Sequence, residues 1–162
     1  MTPSRFISAT VAAAVAGLIA ITVYLTVERG LTEHLPMLLC LKQLLQWDAS
    51  NFYGGSALAG GWGMAWRGLW MDLAVSLVWA TIFTTLYGAL PVVRRYPVLV
   101  GLAYGVLVMV VMIYFVVPLG HATRMAMTLP HVINVLVAHT VFFGMPLAMA
   151  VDTSLTGAYF RR

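Results

Sequence analysis

One carboxylate stands inside an otherwise apolar stretch, and it is the side chain in this sequence that most directly suggests chemistry. Asp72 occurs in WRGLWMDLAVSLVW, with Ser76 four residues later. An ionised carboxylate in hydrocarbon costs about 2.5–3.5 kcal/mol on insertion scales, so such a residue usually faces a polar partner or cavity. Asp72 is therefore a candidate for a proton or cation relay, or for a substrate contact. The structural alternative is an interfacial carboxylate that pairs with Arg67 or with an arginine from another loop.

Imidazole and amide side chains occur together in the last long apolar stretch. His131 and Asn134 share a helical face, and His139 lies eight residues after His131, about 80° around the helix. With Asp72 and Ser76, these three residues form the predicted polar site. His139 is also a candidate ligand for a haem or pigment, although a second ligand would have to come from a partner subunit. The alternative is a buried, hydrogen-bonded imidazole, and no cofactor is predicted.

Metal and nucleophilic chemistry have little support in the sequence. Asp72, His121 and His131 would lie on one side of a membrane, but no spacing such as His-Glu-x-x-His links them, and no metal site is predicted. A Gly-x-Ser-x-Gly elbow is missing, so no catalytic residue is predicted and an enzyme is the less favoured class. Cys40 is the single cysteine, which excludes an intramolecular disulfide.

The composition places these side chains in a membrane protein. Of the 162 residues, 62% are hydrophobic and 9% are charged, and the mean hydropathy is +0.93. Soluble domains carry about 25% charged residues, so this chain has too little polar surface to coat a water-soluble globule. The net charge of +4 comes from basic residues scattered at segment ends, where they meet lipid headgroups. The pattern predicts the lipid bilayer as a partner and excludes nucleic acid.

Apolar stretches long enough to cross a bilayer predict an all-α membrane protein with one transmembrane domain over residues 1–162. About twenty helical residues span the hydrocarbon core. Prolines at 91, 97, 118 and 130 mark several of the predicted helix ends. The four predicted transmembrane helices are 6–27, 69–90, 97–117 and 131–151.

The segment between the first two predicted spans is apolar but too short to cross. LPMLLCLKQLLQWD, residues 35–48, places Lys42, Gln43 and Gln46 on one side of a helix and leucines largely on the other. This pattern predicts an amphipathic helix that lies in the membrane interface, with Trp47 at headgroup level. A re-entrant half-helix is the alternative.

The distribution of Lys and Arg gives an expected orientation. Paired arginines favour placing both termini in the cytoplasm, by the positive-inside rule. The cytoplasmic side would then hold Arg5, Arg94, Arg95, Arg161 and Arg162, and the other side Arg29, Lys42, Arg67 and Arg124.

Small residues recur at helical spacing in two places. The glycine-rich segment GGSALAGGWG, residues 54–63, contains Gly55, Ala59 and Gly63 at four-residue intervals, with Gly61 beside them. Because it lacks the Gly-Lys-Ser/Thr ending of a phosphate loop, it is interpreted as a tightly packed entry to the second span. Gly101 and Gly105 form a Gly-x-x-x-Gly face in the third span, which suits packing within the bundle or contact with another subunit.

Five stretches of the chain resemble a group of small four-span bacterial inner-membrane proteins of the YagU type. They are LQWDAS with the leucines before it, FYGGSALAGG, YGALPVVRRYPVLVGLAYG, VVPLG and AHTVFFGMPLAMA, and the region that they span is about two thirds of the chain. The resemblance implies a multi-pass protein of the bacterial inner membrane. It implies no activity, and no functional residue is carried over, since the histidine expected near the start of the second span is not seen and Asp72 occupies that neighbourhood.

Three functions are compatible with these patterns. The leading hypothesis is a non-catalytic accessory or structural subunit, because the chain has little extramembrane mass and abundant small-residue faces. It would pack against other membrane subunits or against copies of itself. The second hypothesis is an oligomeric transporter for a small molecule, an ion or a proton, with Asp72 on the path. The third is a haem- or pigment-binding subunit that uses His139.

Overall fold

The regular secondary structure of the described residues is entirely helical, and four helical stretches are long and apolar enough to cross a bilayer. The computed structural model describes residues 2–122 and 126–157. Within these residues the predicted all-α, four-span fold is confirmed. The four spans are Pro3–Thr32, Gly61–Ala89, Pro97–Leu119 and Leu129–Thr156.

Two of the spans are single helices and two are interrupted by a wider turn. The first span is α1, Pro3–Thr32, and the second is α3, Gly61–Ala89; between them lie α2, Met37–Tyr53, and a 3₁₀ turn, Gly55–Ala59. After α4, Pro91–Arg95, the third span contains α5, Pro97–Val111, a π-helical turn, Met112–Val116, and α6, Val117–Leu119. The fourth contains α7, Leu129–His139, a second π-helical turn, Thr140–Gly144, and α8, Met145–Thr156.

The helices extend further than hydropathy alone indicates. The helix α3 begins at Gly61, eight residues before the predicted start at 69, and its 29 residues extend over about 43 Å. A hydrocarbon core is about 30 Å thick, so α3 is longer than it needs to be to cross one. Hydropathy marks where a segment leaves hydrocarbon, whereas a helix continues until its backbone hydrogen bonds end.

Both π-helical turns come two residues before a proline. The first ends at Val116 before Pro118, and the second ends at Gly144 before Pro146. Proline lacks an N–H and its ring clashes with the carbonyl four residues earlier, and a local π adjustment relieves that conflict inside a membrane helix. The third span therefore does not stop at Pro118, as its sequence predicts, but continues to Leu119.

The second π-helical turn packs closely against the Gly-x-x-x-Gly face of α5. A Cβ at Gly105 would lie 2.2 Å from the carbonyl oxygen of His139, and one at Gly101 would lie 2.7 Å from that of Gly144. A Cβ at Gly144 would in turn lie 2.1 Å from the carbonyl oxygen of Gly101. The glycines of α5 are therefore used for packing within this chain. Close van der Waals contact of this kind is what holds helices together in lipid.

The buried core lies where the four spans meet. The small side chains of Ala13 and Ala14 let α3 and the fourth span lie close to α1. Phe83 and Tyr104 pack edge to face, with their ring centroids 5.1 Å apart. The Tyr104 hydroxyl donates to the Trp79 carbonyl at 2.7 Å, which satisfies its donor inside the bundle. On the outside, α1 presents an apolar stripe at four-residue spacing to the surroundings, as a lipid-facing helix would. The stripe consists of Ile7, Val11, Val15, Ile19, Val23, Val27 and Leu31.

The loop before the fourth span contacts α2 at one end of the bundle. The backbone N–H of His121 donates to the Asn51 carbonyl at 2.8 Å, and Gly120 packs against the same residue. This contact is consistent with α2 and that loop lying on the same side of a membrane. The predicted cytoplasmic location of both termini remains a prediction, and Arg124, Arg161 and Arg162 lie outside the described residues.

Replacing Gly105 with alanine is expected to destabilise the fold by about 1–3 kcal/mol, because the added methyl would overlap the His139 carbonyl. Gly63→Ala is the matched control, since a Cβ at Gly63 meets nothing within 4 Å. Unfolding midpoints in detergent measure both. A Gly105→Ala protein as stable as the parent would show that α5 does not pack closely against the fourth span.

Candidate functional site

The intramembrane carboxylate Asp72 meets a second carboxylate. Asp72 lies eleven residues after the first residue of α3, about 16 Å along the helix, rather than close to its beginning as predicted. Its carboxyl group is in hydrogen-bond contact with that of Asp48, which belongs to the last turns of α2. Both side chains are half-buried. The polar partner that an aspartate in a spanning helix requires is therefore another acid.

A glycine in α3 allows α2 to come close enough for this contact. A Cβ at Gly68 would lie 1.8 Å from the Leu45 carbonyl oxygen and 3.2 Å from the Ala49 backbone nitrogen, so only a residue without a side chain fits. Asp48 is on the same turn of α2 as these two atoms, and Asp72 is one turn after Gly68 in α3. The crossing of the two helices at Gly68 thus brings the two carboxyl groups together.

A buried amide holds the beginning of α3 on α2. Gln46 is 2% exposed, and its Nε2 donates to the Gly61 carbonyl at 3.1 Å. The sequence pattern placed Gln46 on the polar side of an interfacial helix, whereas the structure turns it inward against α3. The helix itself is present, at Met37–Tyr53 rather than 35–48, and its location in the membrane interface remains a prediction.

The electrostatics of the pair favour a bound proton. Burial raises the pKa of the Asp48 carboxyl well above its usual range, and the neighbouring Asp72 carboxylate and the hydrogen bond between the two groups raise it further. Two carboxylates that share a site cannot both be charged at low cost, so the pair keeps one proton to a higher pH than an isolated aspartate would. Such a pair titrates as a unit.

The expected basic partner of Asp72 is engaged elsewhere. The Arg67 guanidinium lies 5.4 Å from the centre of the Tyr53 ring and makes a long contact with the Met64 sulfur. Among residues 2–122 and 126–157, one salt bridge is present: Arg29 Nε lies 3.0 Å from Glu33 Oε1 at the exposed end of α1. The interpretation of Asp72 as a carboxylate paired with Arg67 therefore does not describe this structure.

The remaining residues of the predicted polar site have other neighbours. Ser76 lies one turn after Asp72 and is 5% exposed, so a second polar side chain is buried further along α3. Asn134 accepts a hydrogen bond from the Tyr24 hydroxyl at 2.6 Å, and it lines a cleft between α1 and α7. The structure therefore separates these residues into at least two locations, one between α2 and α3 and one between α1 and α7.

The histidines do not assemble into a ligand set. His139 Nδ1 contacts the Val135 carbonyl of its own helix at 2.9 Å, next to the second π-helical turn. His131 is half-buried in the first turn of α7, and His121 is in the loop before it. No group of three or more His, Cys, Asp or Glu side chains able to hold a metal occurs in the described part of the chain, so Asp72, His121 and His131 do not converge there.

The glycine-rich segment packs more loosely within the chain than its spacing indicates. Ideal Cβ atoms at Gly55, Gly61 and Gly63 would meet nothing within 4 Å, and Ala59 is exposed. Gly54 and Gly61 have φ of 68° and 63°, a conformation that glycine adopts without strain. The close approach between α2 and α3 occurs at Gly68, one to two turns after Gly61 and Gly63. Of the small residues before Gly68, Gly55, Ala59 and Gly63 are exposed, whereas Ala57 and Ala65 are fully buried.

Sequence reasoning missed Asp48, which it treated as the end of an amphipathic helix. A usable signal was present: two helices joined by a short connection each carry one aspartate, and α3 has a glycine one turn before its own. Tyr24 was missed as well, because a tyrosine near the end of a span is usually an interfacial anchor.

Comparison with known proteins found no matching family model, no matching curated protein and no matching solved structure.

The folded protein is expected to lose stability as the pH rises, because the folded state binds the Asp48 proton more tightly than the unfolded state does. This stabilisation is complete below the unfolded aspartate pKa of about 3.9 and is lost as the pH rises through the raised pKa of Asp48. Thermal midpoints in detergent across this range measure the effect.

The matched variant is Asp48→Asn, which keeps a hydrogen-bonding side chain but removes the titrating group. As the pH rises, its thermal midpoint should fall less than that of the parent. Equal slopes for the two proteins would mean that Asp48 does not hold a proton in the folded state.

Proposed function

We propose that this protein is a small multi-pass membrane transport protein that binds and releases a proton at the Asp48–Asp72 pair. The observation that supports the proposal is the meeting of two carboxyl groups from α2 and α3. An ionisable residue inside a membrane span is costly to keep, and its usual use is a proton or ion pathway. This proposal develops the transporter hypothesis that the sequence suggests for Asp72.

A proton suits this pair better than a metal cation. The two carboxyl groups are already in hydrogen-bond contact, so one proton bridges them without moving either helix. A metal ion would have to separate the oxygens and would seek further ligands, and the described residues offer no third His, Cys, Asp or Glu at the pair.

Loss of the shared proton would act directly on the contact between α2 and α3. Two unit charges about 4 Å apart repel each other by about 4 kcal/mol at an effective dielectric constant of about 20. That repulsion is comparable with the total stability of many domains, which is about 5–15 kcal/mol. Release of the proton would therefore loosen α2 from α3 near Asp72.

The connections at both ends of α2 can accommodate such a movement. His34 has φ of 54°, which is uncommon for a residue with a side chain, and Gly54 has φ of 68°. These positions make α2 a separate helical segment between two spans rather than an extension of either one. Proton binding and docking of α2 are thus coupled in this proposal, and the coupling offers a way to open and close a path beside Asp72.

A second candidate function is the accessory-subunit role, and the exposed surface at the beginning of α3 favours it. Trp62, Trp66 and Trp70 lie at four-residue spacing and are 43%, 60% and 66% exposed. Beside them, Gly55 and Gly63 have open space where a side chain would be. Tryptophans at such positions also serve as membrane-interface anchors, so this surface favours assembly less directly than the carboxyl pair favours proton binding.

Proteoliposomes that carry a pH-sensitive dye inside test the proposed function. Under an imposed pH gradient and membrane potential, the parent should move protons faster than empty liposomes. Asp48→Asn and Asp72→Asn should each reduce the rate to that of empty liposomes, because one amide cannot exchange a proton with the remaining acid.

Asp152→Asn is the matched control, since Asp152 accepts a hydrogen bond from the Tyr87 hydroxyl in a different part of the bundle. It should keep the rate of the parent. Parent flux equal to that of empty liposomes would favour the accessory role, and full flux in both pair variants would remove the pair from the mechanism.

A further inference from the structure

A cleft of about 450 Å³ opens between the last turns of α1 and the first turns of α7. Its size is within the range of about 300–1,000 Å³ that is typical of small-ligand sites. Three polar side chains line it, Tyr24, Glu28 and Asn134, together with apolar side chains of α7 such as Ile133 and Val137. This cleft is distinct from the contact between α2 and α3 at Asp48 and Asp72.

One side of the cleft is held in place by two independent contacts of Tyr24. Its hydroxyl donates to Asn134 Oδ1 at 2.6 Å, which links α1 to α7. Its ring stacks on that of Phe142 with centroids 4.1 Å apart and planes 10° from parallel. A side chain fixed in this way loses little conformational entropy when a ligand binds.

Glu28 gives the cleft a negative charge that no described residue neutralises. The adjacent Arg29 is paired with Glu33 at 3.0 Å, and that is the salt bridge found in residues 2–122 and 126–157. The Thr32 hydroxyl donates to the Glu28 backbone carbonyl and lies 3.2 Å from Glu28 Oε1, which leaves Oε2 for another donor. A primary ammonium supplies such a donor together with the opposite charge.

The apolar side of the cleft faces outward from the bundle. Ile133 is 53% exposed and Leu129 is 72% exposed, and both line the cleft. Leu129 and Pro130 begin the fourth span, and Glu28 lies in the last turns of the first, so the cleft lies at the end of two spans. An occupant would therefore have its charged group at the membrane boundary and its chains along α7.

We propose that this cleft binds a membrane phospholipid that carries a primary ammonium headgroup, with the ammonium on Glu28 and an acyl chain against Ile133 and Val137. Charge complementarity selects the headgroup, and the position of the cleft at the end of two apolar spans selects a lipid over a water-soluble amine. This site does not depend on proton binding at the Asp48–Asp72 pair.

Binding is measured with short-chain phosphatidylethanolamine added to the detergent-purified protein, with the thermal midpoint as the readout. Phosphatidylethanolamine should raise the midpoint, and short-chain phosphatidylglycerol, which has no ammonium, should raise it much less. Glu28→Gln should weaken phosphatidylethanolamine binding by about tenfold, as the loss of a charge-assisted hydrogen bond implies.

Glu33→Gln is the matched control, because Glu33 has the same charge but pairs with Arg29 away from the cleft. It should bind phosphatidylethanolamine as the parent does. If Glu28→Gln folds poorly without lipid, Ile133→Trp provides an independent test, since the larger side chain narrows the apolar side of the cleft while Glu28 is retained. That variant should also lose the preference for phosphatidylethanolamine.

Three results would overturn the proposal. They are equal midpoint shifts with the two lipids, unchanged phosphatidylethanolamine binding in both Glu28→Gln and Ile133→Trp, and a shift with ethanolamine but none with phosphatidylethanolamine. The last result would identify the cleft as a site for soluble amines instead of a lipid site.

Discussion

The absence of a side chain at Gly68 is the constraint on which the candidate site depends. The backbone of α2 at Leu45 and Ala49 occupies the space where a Cβ would be. This contact turns Gln46 and Asp48 of α2 toward α3 and leaves Asp72 facing a second acid rather than a base. Without this crossing, α2 would be an amphipathic segment beside the bundle and Asp72 would be an isolated carboxylate in a spanning helix.

A second helix contact of the bundle also depends on glycines that let two backbones approach closely. Gly101 and Gly105 of α5 meet the backbone of the second π-helical turn, whose width is associated with Pro146 two residues beyond it. Lipid offers helices no hydrophobic gain for associating, so close backbone contact has to supply much of the attraction. In the proposed function, these close contacts hold the spans together while α2 responds to a change in charge.

The parts that could be predicted from the sequence are those governed by hydropathy and local chemistry. Four apolar stretches identified the spans, and the isolated position of Asp72 identified it as a residue needing a polar partner. Asp48 could not be identified as the partner from the sequence, because its contact with Asp72 depends on how α2 packs across α3. The sequence of either helix alone does not determine that packing. The same holds for Gly101 and Gly105, whose spacing indicated close packing without indicating which helix they meet, and for the extension of α3 back to Gly61.

Disulfide trapping between α2 and α3 tests the central claim most directly. In a Cys40→Ser background, Asp48→Cys with Asp72→Cys should form a disulfide under mild oxidation, because bonded cysteines require Cα atoms within about 7 Å. Leu38→Cys with Asp72→Cys should not, since Leu38 is 65% exposed and lies ten residues earlier in α2. Failure of the first pair to cross-link in a folded protein, or equal cross-linking of both pairs, would contradict the docking of α2 that creates the site.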